Sequence, residues 1–193
     1  KFLRSRRGWS SLQLWLEGRQ ISAKSKASGG FLRFSIPVAP EARQAVRIDF
    51  GMWPTLERSP DQGVSVFYGP LLLALDLGEQ RQAVQRYAFE AADWNTTATG
   101  PWQVAMPPTP SFGSVRLAPI GPRPMARESC PLSLEVGLQT ASPSDWPASH
   151  GAPGPVNGSC RMGDEVVRRL LPYACTSIRI SAFPVSAAQR VVV

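Results

Sequence analysis

The sequence predicts an all-β protein of two β-sandwich units, the first incomplete at its N-terminus. Three observations predict it. The 193 residues include 19 Pro, close to twice the usual share of roughly 5%, and a Pro inside a helix costs about 3 kcal/mol and breaks the hydrogen-bond ladder. Apolar residues alternate at period two in eight or nine short segments, the pattern of strands with one buried face. Gly- and Pro-rich stretches separate those segments, as sandwich topologies require. The apolar fraction of 43% excludes wholesale disorder.

The elements follow in order. In SLQLWLEG, Leu12, Leu14 and Leu16 share one face against Gln13, Trp15 and Glu17, and Gly18-Arg19 is placed to turn the chain into Gln20–Ala23. Gly29-Gly30 precedes FLRFSI, where Leu32, Phe34 and Ile36 oppose Phe31, Arg33 and Ser35, and Pro37 closes the strand. AVRIDF sets Val46, Ile48 and Phe50 against Arg47 and Asp49. Val64 and Val66 alternate, Gly69-Pro70 interrupts, and Leu71–Leu77 is nearly continuous apolar, the signature of a strand buried on both faces. Residues 79–92 read as the one helix, with Val84, Tyr87 and Ala88 as a thin stripe. SVRLAPI, PLSLEVGLQ, EVVRRLLPY, TSIRISAFPV and the terminal RVVV are further strands, with Leu132, Leu134, Val136 and Leu138 on one face of the second. Residues 142–164, rich in Pro, Gly and Ser, read as a long surface loop. The expected division is 1–78 for the first unit, 79–93 for a connecting segment and 94–193 for the second unit.

Charge and chemistry narrow the function classes. The formal charge is +7, from 21 Lys+Arg against 14 Asp+Glu. Apart from Arg4, Arg6, Arg7 and the pair Arg168–Arg169, the arginines are spread singly, which fits solvated strand faces and not a phosphate-tracking stripe. Nucleic acid is therefore not an expected partner. No apolar run approaches the roughly 20 residues of a membrane span, so no membrane is expected either. Nothing in the chain assigns a compartment. Phosphate-cradling glycine motifs and the G-x-S-x-G nucleophile turn are absent. The single His, His150, falls in the most loop-like stretch and reads as an exposed histidine. Asp164–Glu165 and Asp76/Glu79 are the local carboxylate pairs that glycoside chemistry would draw on, and both read as solvated charge. Cys130, Cys160 and Cys175 form no C-x-x-C pair. They are compatible with one bridge, for instance Cys130–Cys160, or with three buried thiols. Two N-x-S/T sequons, Asn95-Thr96-Thr97 and Asn157-Gly158-Ser159, accept glycans only in a eukaryotic secretory pathway.

Six tryptophans, Trp9, Trp15, Trp53, Trp94, Trp102 and Trp146, offer either core filling or flat faces for sugar rings. Trp94, Trp102 and Trp146 are the candidate carbohydrate contacts. They support an alternative reading as a carbohydrate-binding module, beside a second alternative, a structural or adhesive sandwich of a secreted protein.

The ordered motifs carry a resemblance. LQLWLEGRQISAKSKASGGFLRFSI resembles a strand–turn–strand segment that usually has V-N-G where this chain has Leu16-Glu17-Gly18. AVRIDFGMWPTLE, VSVFYGPLLLALD and Trp94 with GPWQVAM resemble three further blocks, the last with Gln103 in place of the Asn of W-N-Y. LLPYACTSIRISAFPV resembles an L-x-P-Y-G-[CS]-T-x-x-R-I-x-x-F-P ending, with Ala174 at the usual Gly. In this order they resemble the C-terminal part of the β-L-arabinofuranosidases, glycoside hydrolase family 127 and its relatives, across roughly residues 9–185.

The resemblance implies an upstream (α/α)6 catalytic barrel that removes β-L-arabinofuranose units. A glutamate and zinc-binding cysteines, one of them the nucleophile, lie in that barrel. This chain would then be a non-catalytic sandwich portion bracing it. No catalytic residue, metal ligand or cofactor is carried over, because the family's site residues lie in the barrel, Cys175 matches a position that is Cys or Ser in relatives, and Cys130 and Cys160 match no ligand motif. The resemblance implies that the parent polypeptide is a glycoside hydrolase whose catalytic barrel is not in this chain. The implied partners are the barrel of the same polypeptide, a second copy through a sandwich, and the carbohydrate substrate. The first residue, Lys1 and not Met, fits a chain continued upstream.

Overall fold

The computed structural model describes residues 9–21, 24–28, 31–35, 45–58, 63–149, 152–154, 159–161 and 163–187. Its regular elements are strands and three one-turn 3-10 helices. The all-β expectation therefore holds. The chain divides into two compact units, Lys1–Thr55 with Phe67–Pro70, and Leu56–Val66 with Leu71–Val193. This division differs from a boundary at 78, because strand pairing and not composition decides which segments belong together.

The first unit contains β1 (Trp9–Leu16), β2 (Arg19–Ile21), β3 (Lys24–Ser28), β4 (Phe31–Ser35) and β5 (Val46–Met52). A three-stranded antiparallel sheet runs β2-β1-β5, and β3 pairs with β4 as a hairpin. The turn between β1 and β2 is Glu17-Gly18, one residue earlier than the Gly18-Arg19 expected, and both residues have positive φ, 48° and 75°. That is the backbone of a two-residue hairpin whose twist matches the strands. Positive φ suits Asn or Gly and costs a Glu side chain. Glu17 offsets the cost by accepting a hydrogen bond from the Ala45 N–H at 2.6 Å, while its own N–H donates to the Ala45 carbonyl. The hairpin is thereby tied to the entry of β5. On β5, Arg47 pairs with Asp49 at 3.0 Å and lies 4.7 Å over the Trp15 ring, as expected of a solvated strand face.

The second unit contains most of a seven-stranded sheet, whose first two strands contribute only Leu56–Arg58 and Val64–Val66 to it. The sheet's strands are β6 (Pro54–Arg58), β7 (Val64–Tyr68), β8 (Leu71–Leu75) and, after a separate hairpin of β9 (Glu79–Arg86) and β10 (Ala92–Ala98), β11 (Val104–Ala105), β12 (Phe112–Leu117), β13 (Leu132–Thr140) and β17 (Glu165–Pro172). Their order is β11-β13-β17-β8-β7-β6, with β12 also on β13. Between β13 and β17 lie β14 (Ala148–Ser149), β15 (Ala152–Pro153) and β16 (Ser159–Arg161), and the described chain ends on β18 (Val185–Ala187). β14 pairs with β15, and β16 runs parallel to β18.

Alternation predicts the core closely. Leu132, Leu134, Val136 and Leu138 are all buried, and Leu134 sits opposite Leu170, which sits opposite Leu75. The continuous apolar run is the interior strand β8, where Leu73, Ala74 and Leu75 are fully buried because β7 and β17 flank it.

Three expectations are corrected. Residues 79–86 form a strand, not a helix. The stripe of Val84 and Tyr87 is too thin to bury a helix face, whereas Thr96 and Thr97 of β10 supply a partner ladder opposite Arg81 and Gln80. TSIRISAFPV is mostly irregular. After a one-turn 3-10 helix at Tyr173–Cys175 it touches the sheet through single bonds, Leu75 N–H to the Ile180 carbonyl and a reciprocal Val64–Phe183 bridge, before β18 begins at Val185. The described residues within 142–164 are not free loop throughout, since Trp146 is buried and the short strands at 148–149, 152–153 and 159–161 are paired. His150 and the terminal RVVV lie outside the described residues.

Candidate functional site

Among the described residues, two carboxylates and three arginines gather at the end of β8 and the start of β9, and one of the carboxylates reaches the Tyr173–Ile180 segment. Asp76 leaves β8 with its side chain only 3% exposed. It accepts hydrogen bonds from Arg127 Nε and Arg169 Nε, each at 2.6 Å, one on each carboxylate oxygen. Arg169 arrives because β17 pairs beside β8, and the Asp76 N–H also donates to the Arg169 carbonyl.

Glu79 opens β9 three residues later. Its Oε1 accepts the Ser177 N–H at 2.9 Å and the Ile178 N–H at 3.3 Å, while Arg81 donates to Oε2 at 3.3 Å and bonds the Ser177 hydroxyl. Burial pushes the Glu79 pKa up, but the bonds from Ser177, Ile178 and Arg81 together outweigh it and hold the carboxyl below its ordinary value. Glu79 is thus ionised at neutral pH and unsuited to donate a proton. Asp76 and Glu79, read from sequence as solvated charge, are fasteners whose side chains are largely buried.

The cysteines complete the closure. Cys130 is bridged to Cys175 across 45 residues of sequence, with Cα atoms 6.0 Å apart. The bridge replaces the Cys130–Cys160 pairing and the three free thiols considered above. Cys160 is buried and free, packed with Ala105 and Ala141, and burial, followed by the nearby Asp145 charge, pushes its thiol pKa up. Two thiols in a bridge and a third kept protonated do not fit a zinc site. Among the described residues no group of three or more His, Cys, Asp or Glu side chains gathers to hold a metal, and no helix is long and apolar enough to cross a membrane.

The three candidate tryptophans have different fates. Trp146 is 2% exposed; its Nε1–H donates to the Gly154 carbonyl at 3.0 Å and its ring meets Trp102 edge-on with centroids 5.0 Å apart. Trp102 is half-buried by that contact. These two rings are packing groups, and the Trp146 bond ties residue 146 to Gly154, which takes Trp146 out of reach of a sugar. Trp94 is 52% exposed on β10, opposite Ala83, whose small side chain leaves the indole uncovered. Trp53 is exposed and Trp15 is half-buried under Arg47.

Sequence reasoning missed Arg81, Arg127 and Arg169 as partners of the two carboxylates. No local signal could have found Arg127 and Arg169, which lie 51 and 93 residues from Asp76, whereas Arg81 stands two residues from Glu79 on the same strand face and was within reach of a period-two reading.

No protein-family model matches this chain, and no curated protein does. Among solved structures, a chain titled "Glycoside hydrolase" is similar at 15% identity and a TM-score of 0.49, over 93% of this chain and 26% of that one. This chain thus spans about a quarter of that protein's length.

Proposed function

We propose that this chain is a non-catalytic β-sandwich portion of a glycoside hydrolase resembling the β-L-arabinofuranosidases, and that it braces a helical barrel upstream in the same polypeptide. The observation that carries the reading is the fate of the Tyr173–Ile180 motif. Its residues are spent on closure: Cys175 is bridged to Cys130, and the Ser177 and Ile178 N–H groups are held by Glu79. A segment fastened at both ends suits a rigid support, and its one thiol, Cys175, is taken up in the bridge. Bracing of this kind draws on apolar burial, at about 25 cal/mol per Å². The carbohydrate-binding alternative asks for two or three coplanar open rings, and of its three candidates only Trp94 stays open.

The chain alone, supplied with zinc, should not hydrolyse a chromogenic β-L-arabinofuranoside, and the native polypeptide detected by an antibody to this chain should carry a helix-rich barrel before Lys1. Zinc-dependent turnover by these 193 residues, or a native polypeptide without a barrel, overturns the reading.

A further inference from the structure

We propose that Asn95 is an N-glycosylation site and that the protein matures in a eukaryotic secretory pathway. The inference stands apart from the bracing role, since it rests on other residues.

The sequon Asn95-Thr96-Thr97 lies on β10, in the two-stranded ribbon with β9. The ribbon has two unlike faces. Trp94, Thr96 and Ala98 stand opposite Ala83, Arg81 and Glu79, and on this side Glu79 and Arg81 reach the 177–178 segment. Successive residues of a strand point to opposite faces, so Asn95 and Thr97 share the other side with their partners Gln82 and Gln80. All four of those residues are exposed. The acceptor amide and the hydroxyl two residues on, the two groups a sequon must present, therefore face solvent together. The sequon's direct cross-strand partners, Gln82 and Gln80, are polar.

The second observation is the Cys130–Cys175 bridge. Disulfides persist in oxidising compartments, and the lumen in which they form is the one where sequons are modified. Neither feature alone selects that compartment; a sequon arises by chance and a bridge also forms in a periplasm. Their joint presence, with the sequon on an open face, points to the eukaryotic lumen.

The chemistry balances with a lipid diphosphate-linked oligosaccharide as donor. The Asn95 Nδ2 attacks the sugar C1, the N–C1 bond forms, the C1–O bond to the diphosphate breaks, and the lipid diphosphate leaves. The Nδ2 proton passes to a base of the transferase. A physical benefit follows for the fold. Among the described residues β10 pairs only with β9, so its other edge presents open backbone groups. A glycan beside that edge guards it against pairing with another chain.

The test is to secrete the full chain from yeast or insect cells behind a cleavable leader and to map peptides by mass spectrometry without reduction. A gel shift would be ambiguous because Asn157, outside the described residues, begins another sequon. The expected map shows a glycan on the Asn95 peptide and Cys130 linked to Cys175. Thr97→Ser should keep the glycan, while Asn95→Gln and Thr97→Ala should abolish it. The transfer occurs on the nascent chain, so retained material reads out as well as secreted material. A bare Asn95, or free Cys130 and Cys175 thiols in the secreted protein, overturns the proposal.

Discussion

Asp76 and Glu79 look alike in the sequence and do different work in the fold. Asp76 is a charge clamp, with one guanidinium on each oxygen. Glu79 is a backbone clamp, collecting two N–H groups that would otherwise end a segment without partners. The Glu79 carboxyl is held below its ordinary value of 4.5, so its stabilisation depends on pH in a definite sense. It is fully present above about pH 4.5, the unfolded value, and is lost as pH falls through the lower folded value. Urea midpoints measured between pH 6 and pH 3 should fall over that acid window, and Glu79→Gln should flatten this part of the profile. An unchanged acid slope in the variant would show that the carboxylate does not fasten residues 177–178. That a carboxylate stood at 79 was legible; that it was a fastener was not, because its partners lie about 100 residues away.

At the scale of elements, period-two alternation was a dependable guide wherever one face meets the core. β13 came out as its pattern predicts, and β8 did so at Leu73–Leu75, while Leu71 at its start is exposed. The reading failed at 79–86, where a ribbon with one polar face carries no strong period. There the choice between helix and strand passed to the neighbour, β10, which offers a ladder along its whole length. Its tip shows a cost of that choice. Phe89 is fully exposed with φ at 60°, a backbone state that bulky side chains avoid. The bridge between Cys130 and Cys175 belongs to this scale too, since it ties the turn after β17 to the start of β13. For a separation of 45 residues the chain-entropy estimate gives about 4 kcal/mol of stabilisation. Replacing both cysteines by serine should lower the urea-derived stability by about that amount, whereas a loss under about 1 kcal/mol would show that the bridge constrains little.

The whole molecule consists of two units of unequal substance. In the first, Leu14 is buried, but Val46, Ile48 and Phe50, on the same sheet face, remain 40–45% exposed. In the second, ten or more side chains from β7, β8, β11, β13 and β17 and the segment after it are buried completely or nearly so. Stability follows buried apolar area, so the two units should not unfold as one. Urea unfolding followed by Trp fluorescence should be broad or biphasic, with the first unit melting first. A single sharp transition with an m-value normal for 193 residues would contradict this.

The sequence by itself determined the strand class, the core-facing residues of β13 and the buried Leu73–Leu75 of β8. These follow from the fixed two-residue period of a strand, a local property that each segment carries within itself. Only the tertiary structure decided that Cys175 and not Cys160 meets Cys130, that Trp146 is buried while Trp94 is open, and that residues 79–86 pair as a strand. Each of those outcomes is a choice of partner across tens of residues. Such choices are set by which chain closures bring complementary groups together, and no local pattern encodes that geometry.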